Sequence, residues 1–184
     1  MLVLSNLLLG CASNPEPLPQ SAYQARIRVF HGVGSYIYFG DVCDGKRHPV
    51  IHAAAGGFSY FVPNKRIGMP QTNSMPSFSY HEYAIPAEQP VAIKMYWQTQ
   101  KANGVWDSCG PIYTTFTPET NQDYEVFMKF VGGMCQGVEL RKFTVVTDGK
   151  ISTNPAPTNS LPYESCSRRI TSHHLSSRYF EISS

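Results

Sequence analysis

The chain has 184 residues, a length that suits one ordinary domain flanked by tails. Its formal net charge is +2, only 15% of its residues are charged, and Lys and Arg are scattered, which excludes the basic patch that nucleic-acid binding requires. The 11 Tyr and 10 Phe favour a β-rich exported domain over a helical cytosolic one.

The first predicted element is an apolar segment, Leu2 to Leu9, which is followed by Gly10 and Cys11. A helix needs roughly 20 apolar residues to cross a bilayer, so this segment is too short to span one. It has the length of the apolar region of a signal peptide. The run Leu8-Leu9-Gly10-Cys11 resembles the lipobox of bacterial lipoproteins, in particular those of Gram-negative bacteria.

The resemblance implies that residues 1–10 form a signal peptide and that Cys11 carries lipid. In the family, the cysteine thiol is the nucleophile that is alkylated by a diacylglyceryl group. The new amino terminus is then acylated, for example with palmitate, and two or more acyl chains hold a protein stably on a membrane. Because Ala12 rather than Asp follows the cysteine, the resemblance implies an outer-membrane location facing the periplasm, with exposure at the cell surface left open.

A proline-rich segment follows the lipidation site. Residues 11–21 include Pro15, Pro17 and Pro19, and proline favours extended polyproline II structure over packed structure. We therefore predict a tether that holds the folded part of the protein away from the lipid surface.

A period-two pattern begins at Ala25 and predicts a series of short strands. Ile27, Val29 and His31 alternate with other residues, as expected of a strand that buries one face. The following strands are predicted at Ser35 to Phe39, Val50 to His52 and Phe58 to Val62.

The pattern resumes after a long loop that extends from Pro63 to Phe78. Val91, Ile93, Met95 and Trp97 share one face of the clearest predicted strand, Val91 to Gln98, and Asn103-Gly104 is typical of a hairpin turn. Tyr124, Val126 and Met128 share one face of another. The full set of later strands is Tyr80 to Ile85, Val91 to Gln98, Ile112 to Phe116, Asp123 to Phe130 and Val138 to Val146.

Short strands without a convincing amphipathic helix favour an all-β fold, an antiparallel β-sandwich over residues 22–146. A small β-barrel is the alternative. The turn at Pro118 followed by Tyr124 is similar to the tyrosine corner of immunoglobulin-like sandwiches, in which a tyrosine hydroxyl ties down a turn. Residues 147–184 are dominated by Ser, Thr, Asn, Pro and His and are expected to form a flexible tail.

Besides Cys11, the chain has four cysteines, and an even number in an oxidising compartment predicts two disulfides. Three connectivities are open to Cys43, Cys109, Cys135 and Cys166. We favour Cys109 with Cys135, because these two residues flank neighbouring predicted strands, and this leaves Cys43 for Cys166. No close C-x-x-C spacing supports a zinc site.

The long loop carries the best candidates for partner binding. Lys65, Arg66 and Met69, together with Tyr96 and Trp106, are of residue types that interfaces favour. Met75 extends the same set. The alternative is that the aromatic side chains fill the core and that the two basic side chains are solvated.

No catalytic or metal constellation is recognisable. His48 and His52 flank Pro49 in a strand or loop context rather than on a helix, and His81 and Glu82 are expected to point to opposite faces of a strand. We therefore expect a non-enzymatic envelope lipoprotein without cofactor, an accessory or structural subunit that binds a protein or cell-wall partner. The alternative function is a periplasmic binder or inhibitor of a small ligand or hydrolase, with a pocket at one end of the sandwich.

Overall fold

The computed structural model describes residues 23–42, 48–54, 56, 63–72, 79–102, 104–146 and 150–161. These residues form an all-β fold, and none of them belongs to a helix long and apolar enough to cross a membrane. The strands are β1 (Gln24–Phe30), β2 (Gly34–Phe39), β3 (Val50–Ala54), β4 (Tyr80–Pro86), β5 (Val91–Gln100), β6 (Trp106–Phe116), β7 (Asp123–Val131), β8 (Met134–Val145), β9 (Ile151–Pro155) and β10 (Asn159–Leu161).

The strands form two five-stranded sheets. Sheet I has the order β4-β1-β7-β8-β9, and sheet II has the order β10-β6-β5-β2-β3. Among the described strands, β1 and β7 are the parallel pair, and the other neighbours are antiparallel. No ladder between described strands joins one sheet to the other, so the sheets do not close into the small barrel that was the alternative.

The core lies between the sheets, where the period-two pattern places it. The predicted inner face of β5 is confirmed, because Val91, Ile93 and Met95 are buried and Trp97 packs against the core. The predicted faces of the other two strands are confirmed as well. Their inward side chains are Ile27 and Val29 on β1 and Tyr124, Val126 and Met128 on β7.

Tyr124 fastens the turn that precedes β7. Its hydroxyl accepts a hydrogen bond from the backbone N–H of Glu119 at 3.0 Å, and its ring packs edge-on against Phe116 at 5.1 Å between centroids. The prediction that this hydroxyl ties down the turn is therefore confirmed.

One predicted disulfide is present. Cys109 on β6 is bonded to Cys135 on β8, with their Cα atoms 6.0 Å apart, so the bridge joins sheet II to sheet I. Cys43 and Cys166 lie outside the described residues, as do Cys11, Met75 and the strand predicted at Phe58 to Val62.

The domain boundary predicted at Val146 is wrong. β9 pairs with β8, and β10 pairs with β6 in the other sheet, so the sandwich continues into the segment that was expected to be a flexible tail. The composition is misleading here because an edge strand is held by backbone hydrogen bonds, and its polar side chains remain half-exposed.

Candidate functional site

The predicted partner-binding residues do not form one patch. Lys65 and Arg66 are exposed beside sheet I, whereas Tyr96 lies on β5 of sheet II. The backbone of Trp106 pairs with Gln100 in sheet II, and its side chain lies outside the described part of the structure. The prediction that Met69 is an exposed recognition residue is wrong. The residue is only 4% exposed, because residues 63–72 pack against sheet I.

The outer face of sheet I carries a row of charged side chains that we call the charge row. Strand register aligns Glu82, Arg28, Glu125 and Arg141 on β4, β1, β7 and β8. The charges alternate in sign along the row, so each inner side chain has neighbours of opposite charge on both adjacent strands.

The loop closes over this row. Arg28 and Glu82 form a buried ion pair at 2.7 Å, with side chains 2% and 0% exposed. The second carboxylate oxygen of Glu82 accepts hydrogen bonds from the backbone N–H groups of Ile67 and Met69. The guanidinium of Arg28 also donates a hydrogen bond of 2.7 Å to the carbonyl of Pro70. The charges at this end of the row are thus paired and hydrogen-bonded, and we assign the row to stability rather than to binding.

The outer face of sheet II carries a corresponding row of different chemistry. Register aligns His52, Tyr36, Lys94 and Tyr113 on β3, β2, β5 and β6. The ring of Tyr36 is stacked on that of His52, with 4.7 Å between centroids and 11° between planes. The ammonium group of Lys94 lies 5.6 Å from the ring centroid of Tyr36 and 5.8 Å from that of Tyr113.

Two further tyrosines complete this surface, which we call the tyrosine face and define as His52, Tyr36, Tyr38, Lys94, Tyr96 and Tyr113. Tyr96 stacks against Tyr36 at 6.3 Å and 19°. Its ring lies over Gly34, the residue opposite it in the ladder: a Cβ at Gly34 would be 2.3 Å from the ring carbon Cζ of Tyr96. The absence of a side chain at Gly34 therefore makes the position of this ring possible.

The tyrosine face is partly accessible and rich in hydrogen-bond donors. His52 is exposed and the other members are half-buried. Each tyrosine of the face carries a phenolic hydroxyl, which can donate a hydrogen bond, and Lys94 carries an ammonium group. Burial raises the pKa of Tyr38 and of Tyr96 above the ordinary value of a phenol, which already lies well above neutrality. A shallow cavity of about 320 Å³ adjoins Tyr36, Lys94 and Tyr96.

A larger cavity opens at the end of the sandwich where β7 begins. Its volume is about 650 Å³, within the range of small-molecule sites. Phe116 and Tyr124 form part of the lining, and the ion pair between Lys142 and Glu119 lies at the same end. Pro90, Thr115 and Asn159 add both apolar and hydrogen-bonding surface.

Two histidines meet near the other end of β1. His31 is 6% exposed, and neither of its ring nitrogens has a hydrogen-bond partner. The ring of His81 lies edge-on to it at 4.4 Å and contacts the Tyr83 hydroxyl and the Pro63 carbonyl. Burial, with the nearby His81, lowers the pKa of His31. His81 and Glu82 point to opposite faces of β4 as predicted, since Glu82 belongs to the charge row.

In the described part of the chain, no group of three or more His, Cys, Asp or Glu side chains could hold a metal ion. The buried carboxylate of Glu82 is engaged by Arg28, and Oε2 of Glu125 accepts a hydrogen bond from the hydroxyl of Thr72. Oε1 of Glu125 has no hydrogen-bond partner among the described residues and lies 3.9 Å from the guanidinium of Arg141.

The sequence predictions included Tyr96 but missed the side chains around it. Tyr36, Tyr38, Lys94 and Tyr113 occupy outward positions on three different strands, and strand register alone brings them together. One signal was available in the sequence. Alternation along the predicted strand Ser35 to Phe39 places Tyr36 and Tyr38 together on its outward face.

Comparison with known proteins gives no further guidance, because the chain matches no protein-family model, no curated protein and no solved structure.

Proposed function

We propose that this protein is a non-enzymatic envelope lipoprotein that binds a protein or cell-wall partner through the tyrosine face. In this proposal, lipid on Cys11 anchors it to the outer membrane on the periplasmic side. The observation that carries the proposal is the row of His52, Tyr36, Lys94 and Tyr113, an aromatic and cationic surface that is half-exposed and fixed in place by its own contacts.

Tyrosine suits such a surface for physical reasons. It presents a large amphipathic contact area and has only two side-chain torsions to immobilise, so the entropy lost on binding is small. Aromatic residues are also enriched at protein interfaces. Stacking of Tyr36 between His52 and Tyr96 fixes the rings before a partner arrives, which lowers the cost of binding further.

The proposed anchor is compatible with access to this face. The tether leads from Cys11 into β1 at Gln24, and a fully extended chain of that length reaches about 40 Å. The tyrosine face lies on the flank of the sandwich rather than at the end where β1 begins, so a partner in the periplasm can approach it from the side.

We also propose two finer features of the fold. The sandwich is of the immunoglobulin-like kind, which the hydrogen bond from Glu119 to the Tyr124 hydroxyl supports. Cys43 is bonded to Cys166, since the pairing of Cys109 with Cys135 leaves these two as the remaining cysteines apart from Cys11. Non-reducing mass mapping tests the second bridge, and free thiols at Cys43 and Cys166 would refute it.

Site-specific photo-crosslinking tests the docking face. A photoreactive phenylalanine replaces Tyr38 in the full chain in its native cells, and a matched control carries it at exposed Asn154 on β9 of sheet I. We expect one discrete crosslinked species from position 38 and none from position 154. Equal crosslinking from both positions, or none from either, would contradict the assignment of the face.

The anchor has its own test. In the variant Cys11→Ser, we expect the protein to leave the membrane fraction and to lose incorporation of labelled palmitate. The lipoprotein proposal would be refuted by two results together: the variant stays in the membrane fraction, and the parent protein takes up no labelled palmitate.

The end cavity favours a second candidate function, a periplasmic binder of a small ligand or an inhibitor of a hydrolase. Its volume of about 650 Å³ and its mixed lining are the supporting observations. Thr115→Trp would fill this cavity from β6, so a ligand-induced rise in melting temperature that disappears in this variant would favour the second function over the first.

A further inference from the structure

We infer that the tyrosine face recognises an acidic segment of a protein partner. The inference rests on the proposed function and adds the chemistry of the partner to it. It depends on three features of the described residues: an ammonium group without an ion pair, hydroxyl donors beside it, and the absence of a carboxylate from the face.

Lys94 differs from the cations on the strands of sheet I. The side chains on those strands that form an ion pair with an Asp or Glu side chain are Arg26, Arg28, Lys129, Arg141 and Lys142. Lys94 forms none with any described residue, and its contacts are the ring faces of Tyr36 and Tyr113. These contacts orient the ammonium group without neutralising it, because a ring face attracts a cation but carries no net charge.

The groups around Lys94 add hydrogen-bond donors and no negative charge. Tyr36 and Tyr38, whose ring centroids are 6.4 Å apart, contribute phenolic hydroxyl groups to the same face, and burial raises the pKa of Tyr38 further above neutrality. No Asp or Glu belongs to the six residues of the tyrosine face. A carboxylate placed against Lys94 would therefore receive a charge-assisted hydrogen bond and phenolic hydrogen bonds without repulsion from within the face.

The size of the charge selects a protein segment over other anions. Anionic membranes are recognised by clusters of Lys and Arg, and nucleic acids require many phosphate contacts. One ammonium group on a six-residue face suits a segment with one or two carboxylates, and the hydroxyl-rich, preorganised rings around it resemble the composition of protein-binding surfaces.

Peptide binding to the purified full chain in detergent tests the inference. Three fluorescein-labelled decapeptides serve as probes, in which Gly alternates with Glu, Gln or Lys, and fluorescence anisotropy is the readout. We expect the Glu peptide to bind at least about tenfold more tightly than the Gln peptide, because hydrogen bonds to charged groups are the stronger ones. Its affinity should fall as salt rises from about 0.01 M to about 0.15 M.

Substitutions assign the binding to the face. Lys94→Gln should weaken the Glu peptide about tenfold, whereas Lys94→Arg should retain most of the affinity. Lys101→Gln is the matched control, since Lys101 is an exposed lysine that pairs with Asp107 away from the face, and it should bind as the parent does. Gly34→Ala should weaken binding by displacing the ring of Tyr96.

The two proposals fail in different ways. Equal binding of the three peptides, or an unchanged affinity in Lys94→Gln, would overturn the acidic-segment inference while leaving any specific crosslink at position 38 intact. If the photoreactive residue at position 38 gives no specific crosslink, the docking face itself is refuted. A Glu peptide that binds Lys94→Gln and Lys101→Gln with equally reduced affinity would show nonspecific attraction and would also overturn the inference.

Discussion

On the outer face of sheet I, four charged side chains lie in register across β4, β1, β7 and β8, and residues 63–72 form hydrogen bonds with three of them, Glu82, Arg28 and Glu125. On the outer face of sheet II, His52, Tyr36, Lys94 and Tyr113 lie in register across β3, β2, β5 and β6 and remain half-exposed. The two rows have the same geometry, but three members of the first are fully buried and no member of the second is. The cover, rather than the presence of charge, therefore separates a buried row from an accessible one.

The cover follows from what each row requires. Buried charges must be paired and have their remaining hydrogen bonds satisfied, and residues 63–72 supply backbone groups to both Glu82 and Arg28. Aromatic rings carry no charge that must be neutralised, and they are stabilised by stacking on one another, as Tyr36 is on His52 and Tyr96. The first row therefore gains from a cover, and the second needs none.

The largest expected effect comes from breaking the charge row. Arg28→Met removes one side of a buried ion pair and leaves Glu82 charged and buried, which should lower the free energy of unfolding by about 3–5 kcal/mol. Chemical denaturation of the purified chain measures it. The double variant Arg28→Met with Glu82→Gln should recover part of the loss, since no buried charge remains in that pair. A single variant as stable as the parent would show that the row is not structural.

A smaller effect on stability is expected when the pH is lowered, and it comes from His31, which follows the end of β1 in the same sheet. Burial and the nearby His81 lower the pKa of His31, so the folded state binds its proton less readily than the unfolded state, in which the pKa is about 6.5. This contribution to stability is present above about pH 6.5 and is lost as the pH falls below it towards the lowered folded value.

The variant His31→Leu checks the sign of this effect. Denaturation between about pH 5 and about pH 8 should show a smaller pH dependence of stability for His31→Leu than for the parent. An equal slope in the parent and in His31→Leu would rule out His31 as its source.

The smallest effect on stability is expected from the tyrosine face. Lys94→Gln and Tyr38→Phe should change the free energy of unfolding by no more than about 0.5 kcal/mol, since neither leaves a buried group without a partner. Denaturation alongside Arg28→Met measures the contrast between the rows. A loss as large as that of Arg28→Met would make the second row structural too, and the division between the two faces would not hold.

Much of the fold could be predicted from the sequence because alternation is a local property. Val91, Ile93 and Met95 face the core as the pattern required, and the strand at Asp123 was predicted to within a residue of its end. β9 and β10 were missed because Ile151–Pro155 and Asn159–Leu161 are short and polar, and their pairing with β8 and β6 depends on backbone groups that side-chain patterns do not reveal.

The candidate site was harder to predict. Tyr96 was identified by residue type, but its combination with Lys65, Arg66 and Met69 placed residues of opposite sheets in one patch. The burial of Met69 depends on the hydrogen bond between its backbone N–H and the carboxylate of Glu82, which joins its loop to β4. Composition could suggest interface residues, but it carried no information about which of them share a face.

By itself, the sequence determined the all-β class and the inner faces of the main strands, because both depend on residue type and spacing within one segment, whereas it favoured the pairing of Cys109 with Cys135 among three open connectivities. Only the tertiary structure decided the two rows on the outer faces. Tyr36, Lys94 and Tyr113 meet through the pairing of three strands, as do Glu82, Arg28 and Glu125. The physical reason is that hydrogen-bonded register between strands, rather than distance along the chain, sets which outward side chains become neighbours.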